Sequence, residues 1–202
     1  MKVILGKKIG MSRIFNKEGK AIPVTLITAG PCYITQIKKT DKEGYNSLQI
    51  GYGKAKKINK PVAGHLKKVA KDNNLKYLRE IRVAEIKDEK EGQEIKVDVF
   101  EKGDLVKISA ISKGKGFAGV VKRHHFAGSP KTHGHKHDLR KPGSIGAGYP
   151  EHVIKGLRMA GRMGGDRVTL NSEVVDLNKD KNLIVLKGGI PGARESLVFI
   201  KA

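Results

Sequence analysis

The fold is decided first by residues 2–30, KVILGKKIGMSRIFNKEGKAIPVTLITAG. Short runs rich in Val, Ile and Thr flank the turn signal NKEG at 16–19, a pattern typical of antiparallel β-strands. Working outward, the same pattern continues in CYITQIKKT (32–40), a turn at DKEG (41–44) and YNSLQIGY (45–52). This first part of the chain therefore predicts an antiparallel barrel or sandwich.

A short helical insertion is predicted at about residues 54–79. Between Pro61 and Asn73, Val62, Leu66 and Val69 recur at i, i+4 and i+7, with lysines on the remaining face. A recognition helix is the alternative, but single amphipathic helices more commonly cover a core, which is the role expected here.

Strand patterns resume after the insertion and again near the end of the chain. They are found in LREIRVAEI (78–86), QEIKVDVF (93–100), LVKISAIS (105–112), DRVTLNSEVVDL (166–177), LIVLKG (183–188) and SLVFIK (196–201). The sequence thus predicts a mainly β core made of residues 1–112 and 165–202, interrupted by one long segment at 113–164.

The charge of the chain points to a polyanionic partner. Lys and Arg number 41 against 20 Asp and Glu, a net charge of +21 in 202 residues, which a compact domain tolerates best beside nucleic acid or an anionic membrane. No apolar span of about eighteen residues is present, so a membrane partner is not expected. Lys7 and Lys8 interrupt the apolar start MKVILGKKIGM before a signal-peptide core can form. We expect a cytoplasmic protein.

Cysteine usage excludes two kinds of structure. Cys32 is the single cysteine, so an intrachain disulfide and a cysteine-built zinc site are both ruled out. Its position beside Pro31 in an apolar run predicts a small buried side chain.

The interrupting segment is unusually basic and rich in glycine and histidine. Residues 113–162 hold eleven Lys or Arg, two acids, ten Gly and six of the seven His. Within it, KTHGHKHDLRKPGSIGAGYPEH (131–152) cannot bury enough apolar surface to offset the entropy of its own ordering. We therefore expect a partner to order it, and expect disorder in the free protein. The stretch 80–104 reverses the charge, with nine acids and five basic residues, and should face away from a polyanion.

A nucleotide-binding loop is the first alternative for this segment. GKGFAG (114–119) matches G-x-G-x-x-G after a strand-like run. The dinucleotide fingerprint also needs a following helix and a second parallel strand, whereas VVKRHHFAGSPK (120–131) predicts a turn. Glycines that allow the backbone to approach phosphate explain the same residues.

A metal site is the second alternative. His133, His135 and His137 alternate, so an extended chain would point three imidazoles to one side, with Asp138 or His124 as a further ligand. Histidines in a basic segment can instead pack on bases and ribose. Ser144 lacks the spacing of a nucleophile elbow, and no catalytic constellation stands out. We expect no metal, no cofactor, no small-molecule substrate and no enzymatic activity.

Four stretches together resemble the bacterial large-subunit ribosomal protein L3 family, in the order of that family and across nearly the whole chain. They are ILGKKIGMSRIF (4–15), VKISAISKGKGFAGVVKRHHFAG (106–128), THGHKHDLRKPGSIG (132–146) and VIKGLRMAGRMGGDRVT (153–169). The resemblance implies a six-stranded Greek-key barrel of translation-factor type, with a small helical insertion and a long irregular extension.

The resemblance also implies a role. The protein would bind large-subunit (23S) rRNA directly near its 3′ end, aid early subunit assembly, contact neighbouring ribosomal proteins and send the extension toward the peptidyl transferase centre. Catalysis would belong to the RNA. The competing hypothesis is a general nucleic-acid chaperone, which would bind any duplex with similar affinity.

The expected site residues follow from the charge pattern and the resemblance. The rRNA-binding set is Lys7, Lys8, Lys113, Lys115, Lys122, Arg123, Lys131, His133, His135, Lys136, His137, Arg140, Lys141, Ser144, Lys155, Arg158 and Arg162. The tip of the extension is PGSIGAGYP (142–150), with Gly143, Gly146, Ala147, Gly148 and Tyr149, the glycines giving a tight backbone path.

Two positions depart from the family pattern. Some members carry a methylated glutamine in the tip, where this chain has Ala147, Gly148 and Tyr149, so that modification is not expected. Further on, the common FKGKKMAG is IKGLRMAG (154–161), in which Leu157 replaces a lysine and Arg158 keeps the neighbouring charge.

Overall fold

The computed structural model describes residues 2–67, 69, 74–86 and 89–202. In chain order the elements are β1 (Val3–Phe15), β2 (Ala21–Ala29), β3 (Cys32–Lys38), α1 (Thr40–Glu43), β4 (Ser47–Lys54), α2 (Lys60–Leu66), β5 (Leu75–Arg82), β6 (Glu94–Ile95), a 3₁₀ turn (Val97–Val99), β7 (Leu105–Ile111), β8 (Phe117–Ala118), α3 (Val120–His124), β9 (Gly161–Arg162), β10 (Arg167–Asn178), β11 (Leu183–Lys187) and β12 (Leu197–Lys201). The described chain is mainly β, which confirms the predicted class.

The chain divides into two compact units. The first comprises Met1–Ile111 and Arg167–Ala202, and the second comprises Ser112–Asp166. Whether these units fold as separate domains stays a prediction.

Six strands of the first unit form a closed barrel in the order β1-β12-β7-β10-β11-β2. The first and last strands close it, because β1 pairs antiparallel with β12 from Val3 opposite Lys201 to Lys7 opposite Leu197. In β7 the period of two is plain: Val106, Ile108 and Ala110 are buried, and the residues between them are half-buried or exposed. The buried side chains of the six strands form one apolar core with those of the second sheet.

The other strands of this unit form a separate four-stranded sheet in the order β5-β4-β3-β6. The sequence did not separate them from the barrel, because alternation identifies a strand but not the sheet it joins. The chain changes sheets at Gly30, whose φ is +74°. A Cβ there would lie 3.1 Å from the Ile4 side chain and 3.2 Å from the carbonyl oxygen of Ile95, so glycine suits this close approach.

Two predicted boundaries are corrected. The helix α2 covers only Lys60–Leu66, and β5 already begins at Leu75, inside the insertion predicted at 54–79. Part of the predicted helix, residues 68 and 70–73, lies outside the described residues. In QEIKVDVF only Glu94–Ile95 is strand, and a 3₁₀ turn follows because Val97 and Phe100, three residues apart, are both buried.

The acidic stretch is partly neutralised within the unit. Glu80 on β5 accepts hydrogen bonds from Ser47, Tyr45 and Lys38. The Ser47 and Tyr45 hydroxyls, followed by Lys38, lower the pKa of Glu80 to about 2. Asp104 pairs with Lys2 at 2.9 Å. These acids therefore stabilise the unit as carboxylates.

Cys32 is fully buried, as predicted. Burial raises the pKa of its thiol to about 12, so the group is a neutral thiol and a poor nucleophile. No helix among the described residues is long and apolar enough to cross a membrane.

Candidate nucleic-acid interface

The second unit begins and ends as a narrow antiparallel ribbon. Ser112 N–H donates to the Asp166 carbonyl at 2.9 Å, and Lys115 N–H donates to the Met163 carbonyl at 2.8 Å. Strands β8 and β9 continue the ribbon, with Phe117 opposite Arg162. The segment predicted to be irregular is therefore ordered at its root, the paired residues 112–118 and 161–166. Glycines let these two legs of the ribbon approach closely.

A helix follows the glycines of GKGFAG, against the prediction of a turn. It is the five-residue α3, and the strand before it pairs antiparallel with β9. A parallel strand pair, the other part of the dinucleotide fingerprint, is absent from the described chain.

Two side chains of α3, which follows β8, contact the backbone just before β9 and so hold the two legs of the ribbon together. Arg123 Nη1 donates to the Met159 carbonyl at 2.9 Å, and His124 Nε2 lies 3.1 Å from the same oxygen. A Cβ on Gly161 would lie 2.5 Å from Arg123 Nη1, so the guanidinium packs directly on the returning backbone. Arg123, predicted to bind RNA, therefore also has an internal structural role.

The histidine-rich part is folded into turns, which removes the geometric basis of the metal hypothesis. Residues 131–140 form bends and turns, and His133 has φ +58°. An extended chain would have aligned His133, His135 and His137, but turns do not keep the period of two. The described residues contain no group of three or more metal-ligating side chains placed to hold an ion.

The backbone of the tip makes few hydrogen bonds within the described chain. From 142 to 153, no backbone N–H of the described chain donates to another backbone group. Ser144 Oγ donates to the Gly146 carbonyl at 2.8 Å, so this predicted RNA ligand shapes the tip locally. Gly143 has φ +82°, but Gly146 and Gly148 do not have positive φ and have open space where a Cβ would stand. The backbone path thus needs glycine only at Gly143.

Most cations of the segment have no partner within the described chain. The single ion pair joins Lys141 to Asp138 at 3.3 Å, and both side chains are exposed. No ion pair or side-chain hydrogen bond involves the following residues: Lys113, Lys115, Lys122, Lys131, Lys136, Arg140, Lys155, Arg158 and Arg162. Folding has left their charges available to an anion.

The two predicted RNA ligands outside the segment lie in the barrel unit. Lys8 donates from Nζ to the carbonyl oxygens of Ile190 and Gly192, so its ammonium holds a loop of the barrel. Lys7 is half-buried and lines a pocket of about 280 Å³ with Tyr33 and Tyr52. The sequence could not distinguish Lys8 from an exposed lysine, because its partners are backbone atoms about 180 residues away.

Exposed apolar side chains are a feature of the segment that sequence reasoning identified only at Tyr149, in the predicted tip, and missed at Phe117 and Ile154. Phe117 is 80% exposed, Tyr149 88% and Ile154 63%. Large apolar groups left in water beside cations are typical of surfaces that stack on unpaired bases. Their proximity in sequence to the lysines was the available signal.

Fold and site together define the class: a compact β domain that carries a long basic segment suited to a folded polyanion. A family model described as "Ribosomal protein L3" matches residues 79–183. Relatives named "Large ribosomal subunit protein uL3" match almost the full chain. The protein from Thermosipho africanus is 52% identical over 100% of this chain and 98% of its own. Those from Carboxydothermus hydrogenoformans and Chlorobaculum tepidum are 50% and 49% identical, over 99% of this chain and 96% and 98% of theirs. The chain belongs to the ribosomal protein L3 family.

Proposed function

We propose that this chain is a structural constituent of the large ribosomal subunit that binds 23S rRNA directly through residues 113–162. One observation carries the proposal: of the eleven cations in this segment, only Lys141 forms an ion pair within the described chain. A polyanion that passes along the segment would meet charges that folding has not neutralised. Its counterions would be released on binding, which supplies the affinity.

The shape of the segment suits folded RNA. The major groove of an A-form helix is too narrow and deep for side chains, so recognition uses phosphates, 2′-hydroxyls and unpaired bases. The paired ends of the segment form a ribbon two strands wide, which can pass between RNA helices where a domain cannot. The free N–H groups from 142 to 153 offer additional donors to phosphate and ribose oxygens.

Roles within the segment follow from the contacts. We assign phosphate neutralisation to Lys136, Arg140, Arg158 and Arg162, and to Lys141 once its exposed pair with Asp138 opens. The histidines His133, His135 and His137 pack on ribose and base edges, and Phe117 and Tyr149 stack on unpaired bases. Arg123 and His124 hold the two legs together, and Lys8 holds the barrel.

The finer fold assignment belongs to this proposal. Along the chain the barrel strands are β1, β2, β7, β10, β11 and β12, and β12 returns to lie beside β7. The neighbouring order β12-β7-β10-β11 is that of a Greek key, in which a fourth strand lies beside the first of three consecutive ones. This order supports a barrel of the translation-factor type.

The biological context is proposed on the same basis. The protein acts in the cytoplasm during early assembly, binds near the 3′ end of the rRNA, and contacts neighbouring ribosomal proteins. Its tip, residues 142–150, points toward the peptidyl transferase centre, where the RNA performs catalysis.

Binding across a salt series tests the function. The intact chain is titrated with a transcript of the 3′-terminal domain of large-subunit rRNA, with a DNA duplex of equal length as competitor. We expect preference for the rRNA and a steep decrease of affinity with salt. A variant with residues 113–162 replaced by a linker should lose both. Equal competition by DNA would favour the general chaperone and reject the ribosomal proposal.

A further inference from the structure

A second basic surface lies on the barrel, outside the segment. It is formed by the outward side chains of β7, β10 and β12 and is here named the barrel face: Lys107, Ser109, Thr169, Asn171, Phe199 and Lys201. These side chains line an open groove of about 660 Å³, with Leu105 at its border. The strand register places them in two rows, Phe199–Ser109–Thr169 and Lys201–Lys107–Asn171.

The charges of the barrel face are uncompensated. Lys107 and Lys201 lie directly opposite each other on paired strands, an arrangement in which like charges repel and destabilise the sheet. Neither lysine has an ion pair or a side-chain hydrogen bond within the described chain. An anion bound between the two ammonium groups would remove this repulsion.

The polar groups beside the lysines indicate which anion. Ser109 Oγ and Thr169 Oγ1 lie 2.8 Å apart, and Asn171 lies next to Lys107. Hydroxyl and amide groups both donate and accept, which suits the 2′-hydroxyl of ribose as well as a phosphate oxygen. A carboxylate-bearing protein segment needs donors only. The pattern of two cations, two hydroxyls and an amide therefore favours the sugar–phosphate backbone of RNA.

The barrel face is also continuous along the chain with the proposed RNA-binding segment. Strand β7 ends at Ile111, two residues before Lys113, and β10 begins at Arg167, five residues after Arg162. Basic residues thus follow one another from the face into both legs of the segment.

We propose that the barrel face binds the sugar–phosphate backbone of rRNA, as a second contact beside that of the segment. The inference rests on the proposed function, since it names the same RNA as ligand. Its distinct claim is that the lysine pair Lys107 and Lys201 brackets a phosphate.

Directed cleavage localises the contact. Leu105 is 76% exposed at the border of the face and is not itself a proposed ligand. The variant Leu105→Cys can carry an Fe(II)–EDTA group, while the native Cys32 is buried and serves, in the unmodified chain, as the labelling control. Matched probes are placed by Lys131→Cys in the segment and by Lys56→Cys, an exposed site on the loop after β4.

The three probes separate the possible outcomes in the complex with the 3′-terminal rRNA domain. Cleavage from positions 105 and 131, with none from 56, supports the inference. Cleavage from 131 without cleavage from 105 overturns it, leaves the proposed function standing, and assigns the face to an acidic protein partner instead. Absence of cleavage from both 105 and 131 rejects the proposed function itself.

Charge removal gives an independent test. The double variant Lys107→Gln/Lys201→Gln should reduce the log–log salt slope of rRNA binding by about 0.7 to 0.9, from the loss of the one bracketed phosphate. The control Lys56→Gln/Lys57→Gln removes the same charge from exposed lysines that form no ion pair in the described chain. Equal reductions in both variants would mean that the charge acts only generically, and would overturn the inference.

Discussion

Ile111 and Arg167 lie opposite each other at the end of the β7–β10 ladder. Between them the chain forms the whole second unit, Ser112–Asp166. Because the two ends are adjacent on paired strands, we predict that the barrel closes without the intervening residues. The unit would then serve binding and not the stability of the fold.

Excision of the second unit should preserve the barrel. Replacement of residues 113–165 by an Asn-Gly turn keeps Ser112 and Asp166, whose backbones already pair. Each doubling of loop length costs about 0.6 kcal/mol, so shortening should raise the free energy of unfolding by about 3 kcal/mol. Urea unfolding followed by circular dichroism measures the change. Loss of a cooperative transition would show that the second unit is needed for the fold.

Residues of a single strand should differ sharply in their contribution to stability. Ile108 is fully buried and Ile111 is 58% exposed, both on β7. Ile108→Ala should reduce the free energy of unfolding by about 2 to 5 kcal/mol, from lost burial and the cavity left behind. Ile111→Ala, the matched control, should change it by less than about 0.5 kcal/mol. Similar losses would contradict the assignment of inside and outside on β7.

The carboxylate of Glu80 should contribute stability that disappears in acid. Hydrogen bonds from Ser47, Tyr45 and Lys38 lower its folded-state pKa to about 2, against about 4.3 unfolded. The contribution is therefore full above about pH 4.3 and is lost as the pH falls toward 2. The gap in unfolding free energy between the native chain and Glu80→Gln should shrink over this range. Glu85, which is exposed, is the control, and Glu85→Gln should leave the unfolding free energy unchanged. If the difference in unfolding free energy between the native chain and Glu80→Gln stayed constant with pH, the mechanism would be disproved.

Two adjacent glycines at the root of the second unit should respond differently to alanine. Gly164 and Gly165 both have positive φ, but a Cβ on Gly164 would overlap the Lys113 carbonyl oxygen, whereas one on Gly165 would meet open space. Gly164→Ala should open the ribbon, and Gly165→Ala should cause only backbone strain of about 1 kcal/mol. Hydrogen exchange at the amides of Lys115 and Met163, which close the ribbon, should accelerate in the first variant. Unchanged exchange there would argue against the close approach.

Two arginines of the second unit should have different roles, one as a phosphate ligand and the other as a structural contact within the unit. Arg158 has no side-chain partner in the described chain, while Arg123 donates to the Met159 carbonyl. Arg158→Gln should lower the salt slope of rRNA binding by about 0.7 to 0.9 and leave amide exchange unchanged. Arg123→Gln, unlike Arg158→Gln, should accelerate amide hydrogen exchange in β8 and β9. If Arg158→Gln left the slope intact, its assignment as a phosphate contact would be refuted.

The sequence predicted the strands of the barrel better than their arrangement. Alternation along 105–112 and 183–188 located β7 and β11 within a residue, because one buried face imposes a period of two. The same alternation in β3 and β4 could not reveal a second sheet, since pairing partners are distant in the chain. The barrel closes through such a distant pair, since Val3 of the first strand lies opposite Lys201 of the last.

What the sequence by itself determined is the mainly β class, the buried cysteine and the location of an excess of cations in residues 113–162. These follow from composition and local period, which tertiary structure does not alter. Only the tertiary structure decided which cations are available. Lys8 and Arg123 resemble their neighbours in sequence, yet both donate to backbone carbonyls remote from them. Lys107 and Lys201 drew no attention in sequence, and the pairing of β7 with β12 sets them side by side. The physical reason is that charge is local, whereas its compensation depends on long-range contacts.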